Sequence, residues 1–190
     1  MGKIVLVTGG VRSGKSAFAE RYAVRCAAQT GAQVAYIATA QVYDEEMRQR
    51  VDLHQNRRPA DWSTYEAPFH TEDAIRAAGA SHGVILFDCI TMFLSNDMLQ
   101  YSEEEQERDS FILHVKERIG ALISAALEVS ATTVFVTNEV GAGIVPEHRL
   151  GRLYRDMAGL ANQQIASHAE EVYLVTCGIP MNIKKLAEDI

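Results

Sequence analysis

The sequence predicts an α/β fold of three layers, a mostly parallel sheet with helices on both faces. Three observations carry that prediction. Short apolar runs alternate along the chain with longer segments of helical period. The runs are apolar throughout rather than in alternation, as strands covered on both faces are. The first run passes through a glycine-rich stretch straight into a helical segment, the strand–loop–helix unit of a phosphate-binding loop. With 190 residues, 47% of them hydrophobic, the chain is long enough for one full core, and a single domain is expected.

The elements follow in order. Ile4, Val5, Leu6 and Val7 read as the first buried strand. Residues 17–28 read as an amphipathic helix with Gly31 as its C-cap. Residues 34–38 form a second strand, and 39–43 a short connection. Asp44, Glu45 and Glu46 start a further helix, their charges placed where the helix dipole favours acids. Met47, Val51 and His54 share one face of it, and Arg57-Arg58-Pro59 ends it. Residues 60–82 are weakly patterned apart from a short helix over 72–78. Residues 84–88 form a third strand that closes on an acid. A polar stretch over 102–109 leads into a long helix with Phe111, Val115, Ile119, Leu122, Ile123 and Ala126 on its apolar face. Residues 132–137 form a fourth strand and 141–146 a loop with two glycines and a terminal proline. Residues 148–168 form a helix, striped by Leu153, Met157, Leu160 and Ile165, and 172–175 a fifth strand. Ligands of such sheets bind at the C-terminal strand ends, where the loop, Thr39, Asp88 and Asn138-Glu139 all fall.

The chemistry concentrates at those ends. Gly9-Gly10-Val11-Arg12-Ser13-Gly14-Lys15-Ser16 fits G-x-x-x-x-G-K-[ST]. Glycines let the backbone curl so that its N–H groups face phosphate, and the helix N-terminus adds partial positive charge. Lys15 is the candidate for the outer phosphates and Ser16 for Mg²⁺. Asp88 is the candidate second carboxylate for the metal, with a turn or capping aspartate as the plainer alternative. Glu139 is a candidate base for a substrate hydroxyl. His54 stands among Arg48, Arg50, Arg57 and Arg58. Four cations about one imidazole point to a bound anion, and they favour the neutral, nucleophilic ring. Such a histidine can attack phosphorus. The plainer alternative is a solvated basic face. Trp62 is a candidate for stacking on a base or for packing. Arg152, Arg155 and Asp156 are candidates for substrate contact or for solvent.

Bulk properties exclude other classes. The formal charge is -7, from 18 basic and 25 acidic residues, which argues against a nucleic-acid binder and a DNA-dependent ATPase. Cys26, Cys89 and Cys177 are far apart and form no C-x-x-C, so neither a disulfide frame nor a zinc site is expected. No apolar run approaches membrane-spanning length, and the chain opens on a strand rather than a leader. A reducing, cytoplasmic setting is the expectation. A regulatory nucleotide-binding switch, which has no need of His54, is the alternative to an enzyme.

Taken together, TGGVRSGKS (8–16), YIATAQ (36–41), DEEM (44–47), RVDLHQNRRP (50–59), DCIT (88–91) and VTNEVGAGIVP (136–146) form a specific set. RDMAGLANQ (155–163) and GIPMNIK (178–184) extend it. The chain resembles, over nearly its whole length, the bifunctional adenosylcobinamide kinase/adenosylcobinamide-phosphate guanylyltransferase family of cobalamin biosynthesis. That resemblance implies two reactions. A nucleoside triphosphate, ATP or GTP, phosphorylates the aminopropanol hydroxyl of adenosylcobinamide. GTP then guanylylates a histidine, and the adenosylcobinamide phosphate takes up the GMP. By the resemblance His54 is that histidine. Ala38, Thr39, Ala40, Gln55, Asn56, Arg57, Arg58, Glu66 and Asp88 join residues 9–16 in contacting nucleotide. The resemblance further implies a recombinase-type phosphate-loop fold and a homotrimer. Leu53 stands where some relatives carry a second histidine, which leaves His54 alone in its segment.

Overall fold

The computed structural model describes residues 2–41, 45, 48, 58–106 and 109–188. Among them one sheet holds β1 (Lys3–Thr8), β2 (Val34–Ala38), β3 (Ser63–Glu66), β4 (Val84–Asp88), β5 (Thr132–Val136), β6 (Glu171–Thr176) and β7 (Ile179–Asn182). The strand order is β3-β2-β4-β5-β1-β6-β7, parallel except for the antiparallel β6–β7 pair. The helices are α1 (Lys15–Thr30), α2 (Thr71–Gly79), α3 (Ile90–Met98), the single turn α4 (Glu103–Gln106), α5 (Asp109–Glu128) and α6 (Arg149–His168), with a 3₁₀ turn at Ile183–Leu186.

Strand alternation divides the core into two layers. On one face Ile4, Leu6, Ile37, Ile85, Phe87 and Phe135 pack with residues of α2, α3, α5 and α6. On the other, Val5, Val7, Tyr36, Leu86, Val134 and Val136 pack with Phe18, Ala19 and Tyr22 of α1. The apolar runs of β1, β2, β4 and β5 are therefore strands buried on both sides. Phe87 is fully buried and meets Phe135 edge-on at a ring separation of 5.2 Å. Burial of such a side chain contributes about 1.5–3 kcal/mol. Gly31 caps α1 as expected, at φ 67° with its N–H on Ala27 O.

Three elements depart from the sequence reading. The segment STYE forms edge strand β3, with Thr64 and Glu66 exposed, so it lacks the apolar run of an inner strand. Helix α3 follows β4 at once. It buries Asn96 and Asp97 as well as Phe93 and Leu94, so its sequence has little amphipathic contrast. Strand β7 contains Pro180 and lies at the sheet edge, where a missing N–H is tolerated.

Of the helix predicted from Asp44, Glu45 and Arg48 are described, and they form an ion pair at 3.4 Å. His54, Gln55, Asn56 and Arg57 lie outside the described residues, as do Asp44, Glu46, Met47, Arg50, Val51 and Leu53. No helix among the described residues is long and apolar enough to cross a membrane.

Candidate active site at the phosphate-binding loop

The loop after β1 is shaped by backbone contacts. Ser13 N donates to Gly10 O at 3.2 Å, and Glu139 N donates to Gly9 O at 3.1 Å. Gly178 N, at the β6–β7 turn, donates to Ser13 O at 2.8 Å. Two glycines are required by space. A Cβ at Gly9 would lie 2.4 Å from Val175 O and 2.6 Å from Ser13 Oγ. Gly14 takes φ +93° and faces the Gly178 Cα at 3.1 Å from a built Cβ. Gly14 is also the N-cap of α1 and supplies no side-chain cap, so the amides of the first turn remain open to an anion. Arg12, exposed beside Val11 at the loop tip, has φ 56°. The buried hydroxyls of Thr8 and Ser13 have no partner among the described residues.

Lys15 opens α1, half-buried, with Nζ 3.1 Å from Gly10 O. Its ammonium therefore lies folded over the loop. Burial draws its pKa down, with Cys89 and Asp88 acting against that shift. Ser16, the next residue, is also half-buried.

Sheet register carries the site across the strand ends. Glu66 pairs with Ala38, Ala38 with Asp88, Asp88 with Val136 and Val136 with Val7. The predicted contacts thus form one lateral row at the C-terminal edge. At about 4.8 Å per strand, Asp88 lies about 10 Å from the β1 backbone and Glu66 about 19 Å. Strand β5 separates the loop strand from the Asp88 strand.

Tyr36 links two predicted contacts. Its hydroxyl donates to Asp88 Oδ2 at 2.9 Å, while the Arg58 guanidinium lies 3.6 Å over its ring centroid. Burial and the Asp88 charge push the Tyr36 phenol well above its ordinary pKa, so it remains a donor. Asp88 Oδ1 takes no hydrogen bond among the described residues. Cys89 follows across a cis peptide bond, and burial together with Asp88 pushes its thiol up to about 11.

Thr39 is fully buried, and its hydroxyl both accepts from Cys89 N at 2.8 Å and donates to Cys89 O at 2.9 Å. Its side chain is a brace between β2 and β4, and Ala38 and Ala40 on either side are half-buried. Asn96 holds the Thr39 and Pro68 carbonyls at 2.8 and 3.1 Å. Sequence reasoning missed this asparagine because the helix carrying it was missed. Arg58, Pro59, Ala60, Trp62, Thr64 and Glu66 line a cleft of about 310 Å³ at the far end of the row. Trp62 stands 6.5 Å from Tyr36, at its wall.

Other candidates fall elsewhere. Glu139 is exposed, with Oε1 3.4 Å from the position of a Cβ on Gly141. Arg152 caps the loop before α6 through Pro146 O and Glu147 O. His82 is satisfied by Ala78 O and Ser63 Oγ, and His114 by Asp97.

A curled glycine loop between a central buried strand and an uncapped helix, a lysine folded over it and an acid two strands away define a phosphate-loop nucleotide-binding protein. Comparison with known proteins narrows the class. The model of the cobinamide kinase / cobinamide phosphate guanyltransferase family matches residues 5–183. A relative from Escherichia coli K12, named bifunctional adenosylcobalamin biosynthesis protein CobU, is 41% identical over 95% of this chain and 99% of its own. The protein of that name from Salmonella typhimurium LT2 is 42% identical over the same shares. A Pseudomonas aeruginosa PAO1 relative, named CobP, is 40% identical over 94% of this chain and 96% of its own. Among solved structures, a KaiC-like protein from Pyrococcus horikoshii OT3 aligns with 91% of this chain and 70% of its own, at TM-score 0.48 and 18% identity. The chain belongs to the cobinamide kinase / cobinamide phosphate guanyltransferase family.

Proposed function

We propose that this chain is a bifunctional transferase of cobalamin biosynthesis, working as one catalytic domain. In the first reaction the aminopropanol hydroxyl oxygen of adenosylcobinamide attacks Pγ of ATP or GTP. The bond from Pγ to the β–γ bridging oxygen breaks, and the nucleoside diphosphate leaves. The loop amides of residues 9–16 and the α1 N-terminus hold the phosphates, and Lys15 neutralises charge on the γ-phosphoryl oxygens. Glu139 is the candidate acceptor of the hydroxyl proton.

In the second reaction His54 attacks Pα of GTP, the bond from Pα to the α–β bridging oxygen breaks, and pyrophosphate leaves. A phosphate oxygen of adenosylcobinamide phosphate then attacks the same phosphorus, and the N–P bond breaks to give adenosylcobinamide-GDP. One observation carries the reading. Arg58, at the end of the histidine segment, is stacked on Tyr36, and Tyr36 is hydrogen-bonded to Asp88 beside the phosphate loop. That linkage supports adjoining sites for attack at Pγ and at Pα. Ala38, Ala40, Glu66 and residues 55–58 complete the nucleotide contacts in this reading, with Thr39 bracing the strand ends.

Mg²⁺ fits the residues present, because the Ser16 hydroxyl and the open Asp88 Oδ1 are hard oxygen donors. Bound there, it supplies neutralisation of the phosphate oxygens. The same reading takes the assembly to be a cytoplasmic homotrimer, as the family resemblance implies.

The test is incubation with GTP labelled at Pα, followed by denaturation. Acid-labile, base-stable label on the protein, absent from H54A, is the expected result. Label that survives His54→Ala, or no label on the wild-type chain, removes the guanylyl-histidine.

A further inference from the structure

Asn138 lies two residues past the end of β5, the strand between the phosphate-loop strand and the Asp88 strand. Its neighbours fix it to both. Thr137 N donates to Val7 O at 3.0 Å, and Glu139 N donates to Gly9 O at 3.1 Å, so the Asn138 backbone runs one strand spacing from the start of the loop. On the Asp88 side, Asn138 Nδ2 donates to Thr91 Oγ1 at 3.2 Å, and the same oxygen meets Cys89 Sγ at 2.9 Å. The arrangement is locked from α6. Asn162 Nδ2 donates to Asn138 O at 3.2 Å, Asn162 Oδ1 accepts from Thr137 Oγ1 at 2.7 Å, and Tyr154 OH donates to Thr91 O at 3.1 Å.

The other side-chain nitrogen and oxygen atoms of this set have hydrogen-bond partners. Asn138 Oδ1 is buried with no hydrogen-bond partner among the described residues. A buried amide oxygen left unmatched costs about 1–3 kcal/mol. Its Nδ2 bond to Thr91 Oγ1 aims Oδ1 away from that hydroxyl. An orphaned acceptor, fixed between a phosphate loop and the acid strand, fits a ligand that brings a donor. Phosphate oxygens at neutral pH bring none, whereas an alcohol does.

We propose that Asn138 Oδ1 accepts the hydrogen bond of the acceptor alcohol in the kinase reaction and so orients that oxygen at Pγ. The inference rests on the phosphotransfer reading above. The hydroxyl O–H points at Oδ1, and its lone pair forms the bond to Pγ as the bond to the β–γ bridging oxygen breaks. The amide does not keep the proton, which passes to a carboxylate or to water. Asn138 thus sets the direction of attack, and guanylylation of His54, which uses no alcohol, does not need it.

The experiment compares N138A and N138D with the wild-type chain, using adenosylcobinamide, labelled ATP or GTP, and Mg²⁺. N138A is expected to lose on the order of 10²-fold in kinase kcat through misdirected attack. Its KM for the nucleotide should stay near the wild-type value, and the ratio of nucleotide hydrolysis to transfer should rise. His54 labelling by GTP should persist at the wild-type rate, which a misfolded variant would not allow. N138D keeps an acceptor, and the Thr91 hydroxyl can donate to it, so N138D should recover part of the kinase activity. Unchanged kinase kcat in N138A, or N138D at or below N138A, overturns the assignment. Absence of phosphotransfer by the wild-type chain overturns instead the reading beneath it.

Discussion

Replacing Tyr36 by Phe removes one oxygen from the middle of the linkage between Arg58 and Asp88. The hydroxyl donates to Asp88 Oδ2 at 2.9 Å from a side chain that is 2% exposed. Hydrogen bonds to charged acceptors contribute about 1.5–3 kcal/mol. Asp88 is half-buried, so water can replace part of the bond, and the lower end, about 1.5 kcal/mol, applies. For a chain of this length that corresponds to a fall in Tm of about 3–6 °C. Arg58 keeps an aromatic face beneath it in Y36F, so its stacking survives. With the carboxylate free to turn, kinase kcat should fall about tenfold, or 1.4 kcal/mol. Calorimetry and a phosphotransfer assay read both numbers on one preparation. A Tm shift below about 1 °C together with unchanged kcat would refute the argument that Tyr36 fixes this acid.

Two other expectations are independent of that bond. Lys15→Ala removes the cation folded over the loop at 3.1 Å from Gly10 O. Kinase kcat should drop by about 10²–10³-fold, and normal cobinamide phosphorylation in K15A would exclude its role at the γ-phosphate. Glu171 bears on acid stability. Burial works against its ionisation, but hydrogen bonds from Lys3, Tyr173 and Tyr22 outweigh that and hold its pKa at about 2, against an ordinary 4.5. A depressed acid contributes stability that is complete above its unfolded pKa and lost as pH falls through its folded one. The contribution should therefore drain away between pH 4.5 and about 2. It should amount to about 1–2 kcal/mol, because Lys3 is 39% exposed and solvent screens the pair. In E171Q the slope of stability against pH in that window should flatten, and an unaltered slope would contradict the assignment.

The legible parts of the fold were those where one physical cause dominates. Strands β1, β2, β4 and β5 follow from apolar runs because both faces of each are covered. The loop and the Gly31 cap follow from backbone geometry that few residues other than glycine adopt. Edge strand β3 and hairpin strand β7 lacked that signal, since an exposed face leaves Thr64 and Pro180 in place. Helix α3 was hidden for the opposite reason. It is buried nearly all round, and its polar residues are held by partners distant in sequence, Asp97 by His114 and Arg118, and Asn96 by Thr39 and Pro68. In the site, residue types such as Lys15 and Asp88 declare themselves at strand ends. The Tyr36 bridge and the unmatched oxygen of Asn138 do not, because both depend on register between strands. Arg58 and Glu66, placed by the resemblance, meet at one cleft only because β3 exists.

The position of β1 has a consequence for how the molecule is made. Among the described residues β1 pairs with β5 and β6, so its neighbours begin at residues 132 and 171, far along the chain from it. The phosphate loop behind it is propped by Glu139 and Gly178, which follow β5 and β6 in the chain. A nascent chain carrying the whole GGVRSGKS segment therefore has the letters of a nucleotide site without its form. Competence to hold a triphosphate arrives with the β6–β7 turn, and fragments stopped before it should leave nucleotide untouched in the translating cell.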